Sequence, residues 1–263
     1  MIRISIREKR LTILTWAIAG ALAMYFEAIA IAAELRDYPG GPVALAKSIM
    51  PTIEGMRILR WPADRLDTLG GYLTYHNVTL FTYFLALFAV MQGARIVRHL
   101  EEDKTIAFFL ATGISRAKFT WSRSLAYFVY QIIISLSLGL GTALAMAASD
   151  ASDYAGSFIT LLASGICIFP FFALGFFVSQ FVTSARTATG ISSVLVTLIY
   201  VLGNLADKYS WLTWIKYFSP FYYANLSRPI IPGFDANYLS WFMMLGIGLL
   251  LIWISIRLFE SRD

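Results

Sequence analysis

The chain has 263 residues, of which 58% are hydrophobic and only 14% charged, with a mean hydropathy of +0.67. Soluble domains carry about 25% charged residues, so this composition excludes a water-soluble enzyme, a nucleic-acid module and a disordered tail, and describes a polytopic membrane protein. The net charge of +5 is scattered between apolar runs rather than gathered into a basic patch. A single cysteine, Cys167, excludes an intrachain disulfide framework and a Cys/His metal box.

A helix needs about 20 mainly apolar residues to cross a hydrocarbon core roughly 30 Å thick. Six segments meet that requirement, at about 11–33, 72–94, 124–148, 156–182, 188–206 and 239–256. They are continuously apolar, without the alternation of β-barrel strands. No Gly/Ser linker or internal repeat divides them, so residues 1–263 read as one six-span membrane domain. Basic residues set the orientation. Arg3, Arg7, Lys9, Arg10, Arg95, Arg98, Lys104, Arg116, Lys118, Arg123, Arg186, Arg257 and Arg262 fall on the side of the termini, thirteen of the 21 Lys and Arg. Both termini are therefore expected in the cytoplasm, with the chain in the inner (cytoplasmic) membrane.

The first apolar run follows a basic start and ends near Ala28-Ile29-Ala30, which resembles a signal-peptide cleavage site. An h-region usually spans about 7 to 15 residues; this run is longer and contains Glu27, so a retained span is expected. Glu27 is the one carboxylate inside an expected span. A buried charge there is costly unless it faces a cavity or partner, or reaches the interface, which leaves a contact in a translocation path or snorkelling to the headgroups. The outer loop at about 34–71 carries Leu45, Ile49 and Ile53 at helical spacing. It reads as a short amphipathic helix broken near Pro51 and Pro62.

The cytoplasmic segment His99 to Arg123 is the most informative. Glu101, Glu102 and Asp103 open it, where negative charge suits a helix start. Ile106, Phe109 and Leu110 follow on one face, Gly113 suits a C-terminal cap, and Ser115 suits the N-cap of the helix entering span three. The reading is an acidic-headed amphipathic helix lying along the membrane. A plain connector resting on lipid would place acidic residues against the anionic leaflet and leave Phe108, opposite Phe109, without a partner; a protein docking from the cytoplasm supplies one. Pro170 in span four can kink its helix, either as a static bend or as a gating element. The second outer loop, about 207–238, concentrates Trp211, Trp214, Tyr217, Phe218, Phe221, Tyr222 and Tyr223. Such rings prefer the headgroup level. The loop reads as short helices dipping into the outer interface, the alternative being an ordinary aromatic belt beside span six.

Catalytic motifs are missing from the sequence. It has no phosphate-binding loop, GxSxG elbow or HExxH pair. Its two histidines, His76 and His99, fall at the ends of apolar runs, where an interfacial position is expected rather than a catalytic one. No catalytic, cofactor-binding or metal-ligating residue is expected in this chain.

Gly71-Tyr72-Leu73, the span after it, Gly93-Ala94-Arg95, Glu101-Glu102, Thr105, Phe108 to Leu110 and Ser115-Arg116 together resemble permease subunits of the ABC-2 family. In that family an acidic pair, Gly-Thr, a hydrophobic run and Thr-Pro-Val-Ser-Arg follow the second span. Here Lys104 replaces the usual Gly, and Thr112-Gly113-Ile114 stands where Thr-Pro-Val is common. Phe218-Ser219-Pro220-Phe221 is similar to the Ser-Pro-Phe element before the last span of these permeases. The long first outer loop and the Gly-Tyr-Leu start of span two resemble the drug and polyketide-antibiotic exporter branch.

The resemblance implies an all-α polytopic fold of the type V exporter, with six transmembrane helices, a cytoplasmic coupling helix and outer re-entrant short helices. It implies two such permeases, identical or paralogous, around a central path, with two separate ATPase subunits beneath that bind ATP and magnesium. Glu101, Glu102, Thr105, Ile106, Phe108, Phe109, Leu110, Thr112, Ile114, Ser115 and Arg116 would couple to the ATPase. Glu27, Phe218, Pro220, Phe221 and Tyr222 would contribute to the path or its outer gate. The expected function is ATP-driven export of a hydrophobic or amphipathic substrate. The alternative is a non-transporting module coupling ATP hydrolysis to mechanical signalling or envelope work; a membrane enzyme is the weakest of the three.

Overall fold

The computed structural model describes residues 2–55, 66–73, 79–151, 154–224 and 238–261. Every regular element among them is helical. In chain order these are α1 (Ile2–Asp37), α2 (Gly41–Gly55), α3 (Leu69–Leu73), α4 (Thr79–Arg95), α5 (Arg98–Glu102), α6 (Ile106–Ala111), α7 (Arg116–Ala148), α8 (Tyr154–Cys167), α9 (Phe169–Ser179) and α10 (Ala185–Lys208). A 3-10 helix (Ser210–Phe218), α11 (Pro220–Ala224) and α12 (Tyr238–Glu260) complete the chain.

Among the described residues five stretches are long and apolar enough to cross a membrane: 10–37, 116–148, 154–179, 185–206 and 238–260. They correspond to the first, third, fourth, fifth and sixth expected spans. The second appears as α4, whose 17 residues extend about 25 Å, at the short end of what a span requires. The start expected for it at Tyr72 falls in α3, and residues 74–78, His76 among them, lie outside the described residues.

Two boundaries differ from expectation for physical reasons. Span three begins eight residues before Ser124 because Ser115 caps the helix, its Oγ accepting from the Lys118 N–H at 3.3 Å. Span four is two helices meeting at Ile168. Pro170 sits in the first turn of α9, where its missing N–H costs least. Proline has the opposite outcome in α2, which runs on past Pro51 to Gly55, so the expected break there does not occur; Pro62 lies outside the described residues. α2 folds back on α1 as its spacing requires. Leu45 joins Ala28, Ile31, Leu35, Tyr72, Leu73, Ala145 and Met146 in a buried cluster, with Ile49 packed against it.

α8 and α9 form the most buried of the five long apolar stretches, and the main core gathers on α9. Phe172 stacks on Tyr127 with ring centroids 4.1 Å apart and an interplanar angle of 9°. Phe169 continues the stack to Phe172 and meets Phe128 edge-on. α4, α8, α10 and α12 pack against α9, α7 meets it through these rings, and α1 packs along α7.

Lipid tails are as apolar as leucine, so helices associate in a bilayer through close packing rather than through the hydrophobic effect. Small residues provide that closeness. A Cβ at Gly93 would run into the Phe172 carbonyl oxygen, and one at Gly175 into that of Val90, so α4 and α9 touch backbone to backbone at two reciprocal points. Gly141 of α7 lies in the same way against the Ala21 carbonyl of α1. Gly175→Leu should therefore destabilise the purified protein by about 1–3 kcal/mol or more, read as a lowered thermal transition in detergent. Gly246→Leu, at an exposed helical position with open space around it, should leave that transition in place. Equal behaviour of the two variants would contradict this packing.

Candidate functional site

The segment joining α4 to α7 is built from two short helices and a turn, tied to three other parts of the chain. Val97 is fully buried and fixes the start of α5. Next to it the Arg98 guanidinium donates to the Ser179 carbonyl at 2.6 and 3.2 Å and pairs with Glu101 at 2.7 Å. Ser179 is the last residue of α9, so Arg98 places a cation on a helix C-terminus, where the dipole favours it. Glu102 reaches the other side of the same connection. Its carboxylate accepts the Ala185 N–H at 2.7 Å, supplementing the Ser184 cap that receives the Thr187 N–H.

The acidic trio therefore does not head the helix that carries Phe109, as the sequence suggested. It closes α5, and the helix start that Glu102 serves is that of α10, 83 residues away. The third member, Asp103, faces His99 at 3.4 Å in an exposed pair.

Between α5 and α6 the chain reverses at Lys104, whose φ is +56°. That left-handed conformation costs a side-chain-bearing residue about 1–2 kcal/mol and glycine almost nothing. A glycine is the residue the resembled pattern places there, and Lys104 takes a conformation that suits one. Thr105 donates to the Leu100 carbonyl at 3.4 Å across the turn.

α6 turns Ile106, Phe109 and Leu110 toward the protein, all half-buried. Ile106 packs against the main core, and the Phe109 ring lies 5.2 Å from that of Phe119. The Arg123 guanidinium covers both rings, at 5.8 and 5.1 Å. Phe108 points the other way and is 76% exposed. Thr112 closes α6, its hydroxyl donating to the Phe109 carbonyl at 2.7 Å. Gly113 follows with φ +77°, as expected of a C-terminal cap. Half-buried Ile114 leads to Ser115. Arg116 donates to the Phe259 carbonyl at 3.1 Å and stands over the Phe259 ring, which ties the start of α7 to the end of α12. Thus α5 is bonded to the ends of α9 and α10, α6 packs on α7 through Phe109 and Phe119, and Arg116 at the start of α7 is bonded near the end of α12.

At the opposite end, Phe221 and Phe218 have different surroundings. Phe221 inserts between Phe171 and Tyr200, at 4.7 and 5.1 Å, and Tyr200 stacks on Tyr83 at 4.5 Å. Ser219 is buried beside Gly203, where a Cβ would lie 2.9 Å from its Oγ, and Pro220 opens α11. Tyr222 meets Tyr217 edge-on, with the Lys216 ammonium over both rings. Phe218 is 76% exposed, as are most of Trp211, Trp214 and Tyr217. Residues 210–224 are thus short helices pinned through Phe221 and Ser219, with an exposed apolar face.

Glu27 is half-buried on α1 and has no hydrogen-bond partner among the described residues. Its helix continues ten residues beyond it to Asp37, about 15 Å, so the carboxylate lies further from the helix end than the expected span implied. No group of three or more His, Cys, Asp or Glu suited to a metal occurs among the described residues.

The sequence did not signal the partners of Arg98 and Glu102. Both accept or donate across more than 80 residues, and no local pattern encodes such a pairing. The placement of Phe108 and Phe109 on opposite sides was legible from helical spacing alone.

No curated protein matches the chain. The family model described as ABC-2 family transporter protein matches residues 3–263, nearly the whole chain. With its array of long apolar helices around a polar-clamped connecting segment, the chain belongs to the ABC-2 family and is a multi-pass membrane permease of an ABC transporter.

Proposed function

We propose that the chain forms the translocation path of an ATP-driven exporter for hydrophobic or amphipathic molecules such as drugs, antibiotics or lipid-like compounds. It sits in the inner membrane with both termini cytoplasmic, pairs with a second permease, identical or paralogous, and rests on two ATPase subunits that bind ATP and magnesium. The observation that carries this reading is α6. It offers Phe108 to the outside while its neighbours are hydrogen-bonded to the ends of α9, α10 and α12. A protein that grips Phe108 can transmit displacement to three helices at once.

The docking role divides between two kinds of residue. Phe108 and Thr112 are exposed and form the contact face, whereas Glu101, Glu102, Thr105, Ile106, Phe109, Leu110, Ile114, Ser115 and Arg116 hold that face in place. Interface anchors are large apolar or aromatic side chains with a polar surround. Phe108→Asp is expected to abolish co-purification of the ATPase subunit while the permease still inserts and folds. Survival of the complex would place the docking site elsewhere.

The second permease is expected against α1 and α10. Ile191, Val194, Leu198 and Leu202 form an exposed apolar stripe on α10, and Gly190 lies on that stripe with open space around it. Ser192 and Gly203, small residues that also suit close approach, face inward in this subunit. Cysteines placed at Gly190, Val194 and Leu198 should crosslink between subunits, while cysteines on the exposed face of α7, at Leu140 and Leu144, should not. The reverse pattern would overturn this arrangement.

The cargo class follows from what lines the helices. An ion route needs rings of charge or exposed carbonyls, and the apolar segments hold Glu27 as their sole carboxylate. Phe218, Tyr222 and the exposed tryptophans form an aromatic cover at the outer end, with Pro220 and Phe221 anchoring it. In nanodiscs the assembled complex should show ATPase stimulation by hydrophobic amphiphiles. Stimulation by sodium or another small ion, with none by amphiphiles, would refute the reading.

A further inference from the structure

A groove of about 610 Å³ opens between α7 and α12, on a part of the molecule that neither the coupling segment nor the outer loop uses. This volume lies within the range of small-molecule sites. Its walls are apolar, Trp121 and Phe128 on α7 facing Leu245 and Leu249 on α12. Its polar groups are confined to the α7 side near the start of that helix. Lys118 stands at the mouth and takes part in none of the ion pairs among the described residues. Further in, Ser124 is 1% exposed and its oxygen is closed off, so the interior of the groove is apolar.

The dimensions match one leaflet. From Lys118 to Phe128 is ten residues of α helix, about 15 Å, half of a hydrocarbon core about 30 Å thick. The cation lies at the end of the bundle that carries α5 and α6, where the membrane surface meets water. The apolar walls run from there toward the middle of the bilayer.

We infer that this groove holds an anionic phospholipid of the leaflet on the α5–α6 side, its phosphate on the Lys118 ammonium and an acyl chain between Trp121 and Leu249. The charge decides the occupant. A wholly apolar groove would accept any chain, but an unpaired ammonium at the headgroup level selects a negative head. The groove is lateral and faces lipid, so the bound molecule is a structural partner of α7 and α12 rather than cargo in the path. Because α7 begins at the coupling segment and α12 is tied to it through Arg116 and Phe259, the lipid would brace the helices that this segment moves.

The full chain, purified in detergent, is to be titrated with phosphatidylglycerol and, separately, with phosphatidylcholine, the bound lipid being counted by native mass spectrometry. Wild type should retain one phosphatidylglycerol in preference to phosphatidylcholine. Lys118→Ala should weaken that retention about fivefold, the effect of one basic residue near an anionic surface, and Lys118→Arg should restore it. Leu249→Trp, which narrows an exposed wall without touching the charge, should reduce retention of both lipids, with an unchanged thermal transition showing that the fold is intact. Equal binding of the two lipids by wild type, or undiminished phosphatidylglycerol binding in both Lys118→Ala and Leu249→Trp, would overturn the assignment. So would displacement of the lipid by millimolar inorganic phosphate, since the ammonium would then be a simple anion site.

Discussion

Backbone contact between α4 and α9 is the constraint on which the rest of the bundle depends. In lipid, bringing two helices together gains little from solvent, so the approach must be close enough for dispersion to accumulate. Gly93 and Gly175 remove the side chains that would hold the two backbones apart, each at the level of the other helix's carbonyl. With that distance set, α9 becomes the axis around which Tyr127, Phe169 and Phe172 stack and against which α10 and α12 pack. Gly141 repeats the device between α7 and α1.

A rigid axis explains why the connecting segment is held as it is. Arg98 binds the carbonyl that ends α9, Glu102 the amide that begins α10, and Arg116 the carbonyl of Phe259 near the end of α12. Each bond joins a charged side chain to a backbone group that a helix end leaves unsatisfied. These bonds do not depend on the neighbouring helix surfaces keeping a particular packing. The start of α7 and the short helix α5 are thus joined to helix ends through groups that are among the stronger polar contacts available.

The end of the bundle opposite α5 and α6 is organised by aromatic packing instead of charge. Phe221 is the pin, seated between Phe171 and Tyr200 and backed by Tyr83. The Tyr83 hydroxyl in turn shares a hydrogen bond of 2.9 Å with Thr197, linking α4 to α10 below the loop. These short helices have one fixed edge and a broad exposed apolar face made by Trp211, Trp214 and Phe218. Their position is set from the core.

Composition and local pattern by themselves determined that the chain lives in a membrane, where its long apolar segments fall, that Gly113 and Ser115 punctuate the connection into α7, and that Phe108 and Phe109 lie on different sides of one helix. These features depend on hydrophobicity, on cap chemistry and on the 3.6-residue period, all of which are local. The tertiary structure alone decided that Glu102 caps a helix 83 residues away and that α2 continues through Pro51. It also decided that Phe109 is spent on Phe119 while Phe108 remains outside, and that Lys118 stands unpaired at a groove shared with α12. Each of these turns on which residues distant in sequence become neighbours. In a membrane protein whose segments are almost uniformly apolar, hydropathy places the helices in the bilayer but says little about which of their faces meet.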